Sequence, residues 1–336
     1  MLRIPIADLT HYIERALLHL GLAPERAALS ARLIAETDRD GVRTHGIARL
    51  PRFAEMVHLG AVDPRATPET IASFGVLERW TGHRGPGNLA AHAAMARAID
   101  LAKSHGLGAV ALGNTSHWQR AGTYVWQAAE AGLAAICWTN TMPNLPPWGA
   151  TTPALGNNPL VLAIPGPQPV VLDIAMSQFS YGALAAYSER RQQLPVPGGY
   201  DEAGNLTTDP AAIERTARAL PIGFWKGSGL SFALDVLAAT LAAGRATHQI
   251  PADPHLETGI SQFFLAIAPS TLGPIEDIAT GAIDALHAAT PIDPASPVRY
   301  PGEATLHTRE QNLRLGVPVD ETQWQRILDL ALSSKL

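Results

Sequence analysis

Apolar side chains recur every three or four residues through about residues 1–70, which is the spacing of one face of an amphipathic helix. Leu9, Ile13 and Leu17 mark the first helix, and Pro24 suits the first turn of a second one. The same spacing returns from about Thr305 onward. The pattern therefore predicts a helical region at residues 1–70, with residues 303–336 packing back on it.

Between these two ends, short apolar runs alternate with helical stretches. The runs have the length of buried strands and lie at residues 109–112, 133–138, 160–164, 170–174 and 263–268. Helical stretches are predicted at residues 89–105 and 120–131, and residues 230–243 predict a buried helix. Alternation of this kind is typical of an α/β layer. The fold class is therefore predicted to be α/β, with residues 71–302 as the α/β region.

Composition limits the kinds of partner and compartment. The chain has 336 residues and a formal net charge of −5, which disfavours an electrostatic nucleic-acid binder. Its one cysteine, Cys137, excludes an internal disulfide framework and fits a reducing compartment. The most apolar long stretch has 14 residues, which is too short to span a bilayer. We expect a soluble, cytoplasmic protein with no nucleic-acid or membrane partner.

Several well-known catalytic motifs do not occur in the sequence. It contains no HExxH, paired CxxC, GxSxG or Walker sequence. These absences disfavour a metalloprotease, a zinc ribbon, an α/β-hydrolase and a P-loop protein, and no metal site is expected. Residues 106–111 match the sequence of the GxGxxG/A dinucleotide-binding fingerprint, with alanine at the third glycine position. They follow a predicted helix, however, and begin a predicted strand. The fingerprint requires the opposite order, so this segment is interpreted as a helix end that runs into a strand.

The segment at residues 36–52 is the most highly charged part of the chain and contains Thr44, His45 and Arg49. An imidazole beside a hydroxyl and a guanidinium can combine an acid/base group with an anchor for a carboxylate. If the stretch after Thr44 is helical, His45 and Arg49 share a face, although a helix could instead begin at Pro51. A solvated loop with ordinary ion pairs is the alternative interpretation.

Three polar residues stand where predicted strands end, the edge at which α/β sheets usually bind ligands. They are His117, Asn140 and Asp173. Each could contact a ligand, and each could equally serve as a structural histidine or a turn cap.

Lys226 lies in a glycine-rich segment directly before the apolar helix. A helix N-terminus offers free backbone N–H groups to an anion, and an ammonium would reinforce them. Nearly all of the 25 basic residues in the chain are arginine. A lysine at this position therefore suggests that the compact charge of an ammonium is required here. A tight turn with an exposed lysine is the alternative interpretation.

Six segments occur together in an order that resembles the malate/L-lactate dehydrogenase family of the non-Rossmann type. They are residues 38–53, 114–117, 139–159, 172–177, 225–229 and 301–303. Within the family, residues 136–140, 176–182, 193–196 and 224–229 are most similar to members that reduce 2,3-diketo acids. The resemblance covers nearly the whole chain. It implies a dimeric NAD(P)-dependent oxidoreductase, with an unusual nucleotide-binding α/β domain containing a mixed sheet and a separate helical region.

The resemblance also implies roles for individual residues. His45 corresponds to the proton donor, whereas relatives that act on ureidoglycolate point to His117. Thr44 and Arg49 belong to the same implied catalytic site. Thr44 stands where the family usually has a serine, so the resemblance does not specify the substrate. The positions implied or predicted to bind the cofactor are Asn140, Pro169, Val170, Val171, Leu172, Asp173, Ile174, Ala175, Trp225, Lys226, Gly302, Glu303 and Ala304.

The activity expected from the resemblance is NAD(P)H-dependent reduction of a 2-keto or 2,3-diketo acid, with NADH favoured. Reduction of a cyclic imino acid is an alternative within the family, as is dehydrogenation of malate, lactate or ureidoglycolate. A non-catalytic dinucleotide-binding protein is the alternative from another class. The expected partners are a small keto-acid substrate and a second copy of the chain.

Overall fold

The computed structural model describes residues 1–269 and 276–332, so residues 333–336 of the predicted C-terminal helical segment lie outside the described residues. The helices are α1 (Ile6–His19), α2 (Pro24–Arg39), α3 (Leu50–His58), α4 (Gly87–His105), α5 (Gly122–Glu130), α6 (Tyr181–Glu189), α7 (Pro210–Thr216), α8 (Trp225–Ala242), α9 (Glu276–His287), α10 (Glu303–Leu315) and α11 (Glu321–Leu332). The strands are β1 (Leu2–Ile4), β2 (Glu69–Phe74), β3 (Leu77–Thr81), β4 (Leu107–Ser116), β5 (Ala134–Thr139), β6 (Leu160–Ile164), β7 (Val170–Ile174), β8 (Gly199–Tyr200), β9 (Leu206–Thr207), β10 (Thr258–Ile267) and β11 (Val317–Val319).

A seven-stranded mixed sheet forms the centre of the fold, with strand order β2-β3-β4-β10-β5-β6-β7. β3 and β4 pair in parallel, and the other neighbouring strands pair antiparallel. β4 and β10 are buried along most of their length because helices cover both faces of the sheet. The predicted α/β class with a mixed sheet is confirmed.

Alternate side chains of β10 supply the cores on the two faces of the sheet, as the two-residue period of a strand requires. Phe264 packs with Trp118 and Tyr124 on the face that α4 and α5 cover. Phe263 lies in the other core, together with Leu234 of α8.

The two ends of the chain meet in a third core. β1 pairs antiparallel with β11, and Leu9, Ile13 and Ile34 share a buried cluster with Val317 and Ile327. The N-terminal helices therefore pack against the last helix. Domain boundaries at residues 70 and 303 stay a prediction.

Two local expectations have different outcomes. Gly106 ends α4 with φ of +84° and leads directly into β4, as the helix-to-strand interpretation predicts. The predicted buried helix, α8, instead has an exposed apolar face, where Phe232 is 59% exposed. α8 is apolar around its whole circumference, but the sheet covers only one side of it. No helix in the described ranges has both the length and the apolar character needed to cross a membrane.

Replacing Phe264 tests the central core. Phe264→Ala should lower the free energy of unfolding by about 3–5 kcal/mol, because it removes a fully buried ring and leaves a cavity between two helices and the sheet. Urea unfolding followed by circular dichroism measures the change. Phe74→Ala is the matched control, since Phe74 is 88% exposed and its loss should change stability by less than about 0.5 kcal/mol. Equal effects of the two substitutions would contradict the assignment of the core.

Candidate active site

His45 lies in a short irregular connection between α2 and α3. Residues Arg43–His45 and Ile47–Arg49 form two single 3₁₀ turns, and α3 begins at Leu50 with Pro51 in its first turn. The interpretation that places His45 and Arg49 on one helix face is therefore wrong, because Pro51 starts the helix after them. Arg49 Nε instead donates to the Thr44 carbonyl over 3.1 Å, so the guanidinium folds back toward His45.

His117 follows β4 directly and meets His45 face to face. The two ring centroids are 6.1 Å apart and the ring planes differ by 23°. The helical segment and the sheet thus bring two histidines together that are far apart in the sequence. Two stacked imidazoles at the wall of a cavity form an arrangement that can move a proton to or from a bound molecule.

The hydrogen bonds to the two imidazole rings differ in kind. The backbone N–H of Gln119 donates to His117 Nδ1 over 2.9 Å, so this nitrogen carries no proton and the hydrogen of the neutral ring lies on Nε2. Thr44 Oγ1 lies 2.9 Å from His45 Nδ1, and a hydroxyl can either donate or accept. His45 can therefore change its protonation state without losing its partner, whereas His117 cannot.

Burial and nearby positive charge keep both rings neutral. Burial, together with the charges of Arg49 and Arg120, lowers the pKa of His45 to about 3. Burial also lowers the pKa of His117 well below its usual value, and Arg49, His45 and Arg52 act in the same direction. The positive potential at the site repels a proton and favours an anionic ligand.

Three arginines line the cavity, but they differ in how far they are already paired. Arg52 donates to Glu257 and to the Pro254 carbonyl, each over 2.7 Å. Arg120 donates through Nη1 to Asp40 over 2.6 Å. Among the described residues, the terminal nitrogens of Arg49 have no hydrogen-bond partner.

Sequence reasoning missed Arg52 and Arg120 as site residues. Arg120 follows His117 closely at the end of the same strand, so its position relative to that strand could have indicated it. Arg52 lies in the charged segment at residues 36–52, but its place in the site depends on a distant segment that contains Glu257.

The cavity has a volume of about 820 Å³ and reaches from the two histidines to the end of β7. That volume is in the range of cavities that hold a cofactor and a small substrate. Among the residues predicted to bind cofactor, it is lined by Val171, Leu172, Asp173, Ala175 and Gly302.

Gly302 lets two backbone segments of this wall approach each other closely. Its φ of +100° is unfavourable for other residues, and a Cβ there would lie 3.0 Å from the Val171 nitrogen. Glycine therefore lets the chain pass beside β7 just before α10 begins at Glu303, and the N-terminus of that helix favours an anionic group such as a phosphate. These residues fit a nicotinamide dinucleotide.

The remaining predicted cofactor residues do not line this cavity. Val170, Ile174, Glu303 and Ala304 are sequence neighbours of lining residues without lining it themselves, and Pro169 lies two residues before Val171.

Asn140 and the start of α8 lie elsewhere. Asn140 is fully buried and bonds Asp235, the Arg245 carbonyl and the Ser261 N–H, which gives it a structural task between strands. Trp225 and Lys226 form the exposed first turn of α8, away from the cavity lining. Their role in cofactor binding stays a prediction.

The methyl group of Thr44 packs against α6. A Cβ at Gly182 would overlap the Thr44 side chain, so these two residues are in close contact. Tyr181 beside it donates to the Asn144 carbonyl over 2.9 Å. The methyl is thus accommodated by the glycine of α6.

Residues 4–328 match the family model of malate/L-lactate dehydrogenase. The chain belongs to the malate/L-lactate dehydrogenase family. A 2,3-diketo-L-gulonate reductase of Citrobacter koseri is 41% identical over 329 residues, which cover 97% of this chain and 99% of the relative.

Solved structures of the family agree with this assignment. The Δ1-piperideine-2-carboxylate reductase of Pseudomonas syringae pvar. tomato has a TM-score of 0.87 and 27% identity, and the match covers 98% of this chain and 100% of the other. The malate dehydrogenase of Pyrococcus horikoshii has a TM-score of 0.88 and 27% identity, covering 98% and 94%. The protein is an oxidoreductase that acts on a CH–OH group or the matching carbonyl, with a nicotinamide cofactor.

Proposed function

We propose that this protein reduces the keto group of a 2-keto or 2,3-diketo acid. The observation that carries the proposal is the pair of neutral histidines stacked at 6.1 Å beside an arginine whose terminal nitrogens are free of partners among the described residues. A keto acid needs both features, a proton for the oxygen that becomes an alcohol and a cation for its carboxylate.

Arg49 is the residue best placed to hold the carboxylate. Arg52 and Arg120 are already committed to Glu257 and Asp40. Arg49 keeps its planar pair of terminal nitrogens available, which suits a bidentate carboxylate contact. Its bond to the Thr44 carbonyl directs the bound acid toward His45.

His45 is assigned the proton transfer, and His117 donates a hydrogen bond to the substrate oxygen. Thr44 can adapt to either protonation state of His45, whereas the Gln119 N–H holds His117 in one neutral tautomer. A bound carboxylate offsets the charge of Arg49, so it raises the pKa of His45 from about 3 and lets the ring take up the proton it will donate. Substrate binding thus prepares the acid.

The cofactor is assigned to the wall formed by Val171, Leu172, Asp173, Ala175 and Gly302, with NADH favoured over NADPH. When bound, a reduced nicotinamide supplies the hydride for the carbonyl carbon. Asp173 of this wall accepts a hydrogen bond of 2.9 Å from the Gly122 N–H, and burial raises the pKa of its carboxyl group.

Two substrate classes follow from the relatives. Similarity to 2,3-diketo-L-gulonate reductases over nearly the full length supports a polyhydroxylated diketo acid. Structural similarity to a Δ1-piperideine-2-carboxylate reductase supports a cyclic imino acid as the second candidate, because that ligand also carries a carboxylate. The higher sequence identity favours the diketo acid.

The proposed partner is a second copy of the chain, and the proposed compartment is the cytoplasm. The exposed apolar face of α8, with Phe232, Val236 and Leu237, supports self-association, since a contiguous apolar face usually marks an interface. Cys137 is buried and free, and as the only cysteine it leaves the chain without an internal disulfide.

A substrate panel tests the proposed reaction. We expect kcat/KM with NADH to be at least about tenfold higher for 2,3-diketo-L-gulonate than for Δ1-piperideine-2-carboxylate, a difference of about 1.4 kcal/mol in transition-state binding. Absorbance of NADH at saturating cofactor measures it, with NADPH in parallel. Faster turnover of the imino acid would select the second candidate. Absence of turnover on all keto and imino acids would leave a dinucleotide-binding protein.

Substitutions at the two histidines test the proton assignment. His45→Ala should lower kcat by about 10²–10⁴-fold because it removes the acid, while NADH affinity stays close to that of the wild type. His117→Gln keeps a donor group near Nε2 and should lose much less. Steady-state kinetics and NADH fluorescence titration measure both effects. Full activity in His45→Ala with loss in His117→Ala would transfer the proton to His117.

A further inference from the structure

Asp38 contacts the turn that carries His45, residues 43–49, without lining the cavity. It belongs to the last turn of α2 and is 2% exposed. Its Oδ2 accepts a hydrogen bond of 2.7 Å from the Ile47 N–H, two residues beyond His45. Among the described residues, no arginine forms an ion pair with Asp38, in contrast to Asp40, which accepts from Arg120.

Gly46 is shaped to receive this carboxyl group. A Cβ at Gly46 would overlap the Asp38 carboxyl carbon and both of its oxygens. The backbone there has φ of −93° and ψ of −129°, and it joins the two 3₁₀ turns. The Asp38 side chain therefore packs directly against Gly46, which links His45 to Ile47, and it also accepts the hydrogen bond from the Ile47 N–H.

A second contact closes the same segment from within. Arg49 Nε donates to the Thr44 carbonyl, so the turn is closed across His45. The two single 3₁₀ turns form few backbone hydrogen bonds, because each contains only three residues. The place of the His45 ring thus depends on these two side-chain contacts.

We infer that Asp38 is a positioning residue that sets the place of His45 through its contact with Gly46 and Ile47. The inference rests on the proposed role of His45. Misplacement of a catalytic group by about 1 Å can cost about 10²-fold in rate, so a contact of this kind has a measurable effect on turnover.

The protonation state of Asp38 indicates a matched substitution. Burial raises the pKa of this carboxyl group to about 8, against the Ile47 N–H bond and the charge of Arg43. The group is therefore mainly protonated at neutral pH and resembles an amide in shape and charge. Asn can take its place with the acceptor oxygen kept, whereas Ala removes the acceptor.

The test compares Asp38→Ala with Asp38→Asn at pH 7. Asp38→Ala should lower kcat by about 10–100-fold with unchanged NADH affinity, and Asp38→Asn should restore kcat to within about threefold of the wild type. Thr37→Ala is the control for simple loss of stability, because it removes a buried methyl group from the same helix together with a hydroxyl that donates only to the Leu33 carbonyl. It should lower the melting temperature without lowering kcat.

A readout without turnover separates this inference from the proposed function. The His45 ring signal in a ¹H–¹³C correlation spectrum, assigned with His45→Gln, should shift in Asp38→Ala and stay in place in Asp38→Asn. If Asp38→Ala does not fold, Gly46→Ala takes its place, since it forces the turn away from an intact carboxyl group. An unshifted His45 signal with kcat within threefold of the wild type, in Asp38→Ala or in Gly46→Ala, would overturn the inference. Equal losses in Asp38→Ala and Asp38→Asn would overturn it too.

Discussion

The site depends on one buried carboxylate, Asp40, which joins the segments that carry the two histidines. Asp40 accepts from Arg120 over 2.6 Å and from Arg39 and Arg309 over 2.8 Å. Burial acts to raise the pKa of Asp40, but the bonds from Arg309 and Arg39 and the charge of Arg120 outweigh it and lower that pKa to about 2. Removing one partner of such a buried group costs about 3–5 kcal/mol, so the helical segment cannot readily separate from the sheet.

Arg49 and Arg120 give the cavity its preference for an anion. Burial lowers the pKa of His45 most, and the charges of Arg49 and Arg120 lower it further. A carboxylate bound at Arg49 offsets part of that positive charge. Recognition of the acid and preparation of the proton are therefore two effects of a single charge balance.

The sequence predicts the sheet and the histidines more reliably than the geometry between them. Apolar runs of strand length mark β6 and β7 at their observed bounds, because buried strands have a local signal. His45 and His117 could be proposed from their neighbours in the chain. Their stacking could not be predicted, because it depends on the Asp40–Arg120 contact between distant segments. The sequence allowed two interpretations of the segment at His45, a helix that continues through Arg49 or a helix that begins near Pro51. The second is observed, because α3 begins at Leu50 with Pro51 in its first turn. The exposed face of α8 escaped prediction because an apolar helix has no polar side that would mark solvent.

The kcat/KM of Arg49→Lys for a keto acid tests the central claim most directly. A lysine keeps the charge but cannot form two parallel hydrogen bonds, so we expect kcat/KM to fall by about 10–100-fold while NADH affinity is unchanged. Arg52→Lys is the matched control and should lose less, because Glu257 already holds that side chain. An unchanged kcat/KM in Arg49→Lys would contradict the account, since the carboxylate of the substrate would then be bound elsewhere.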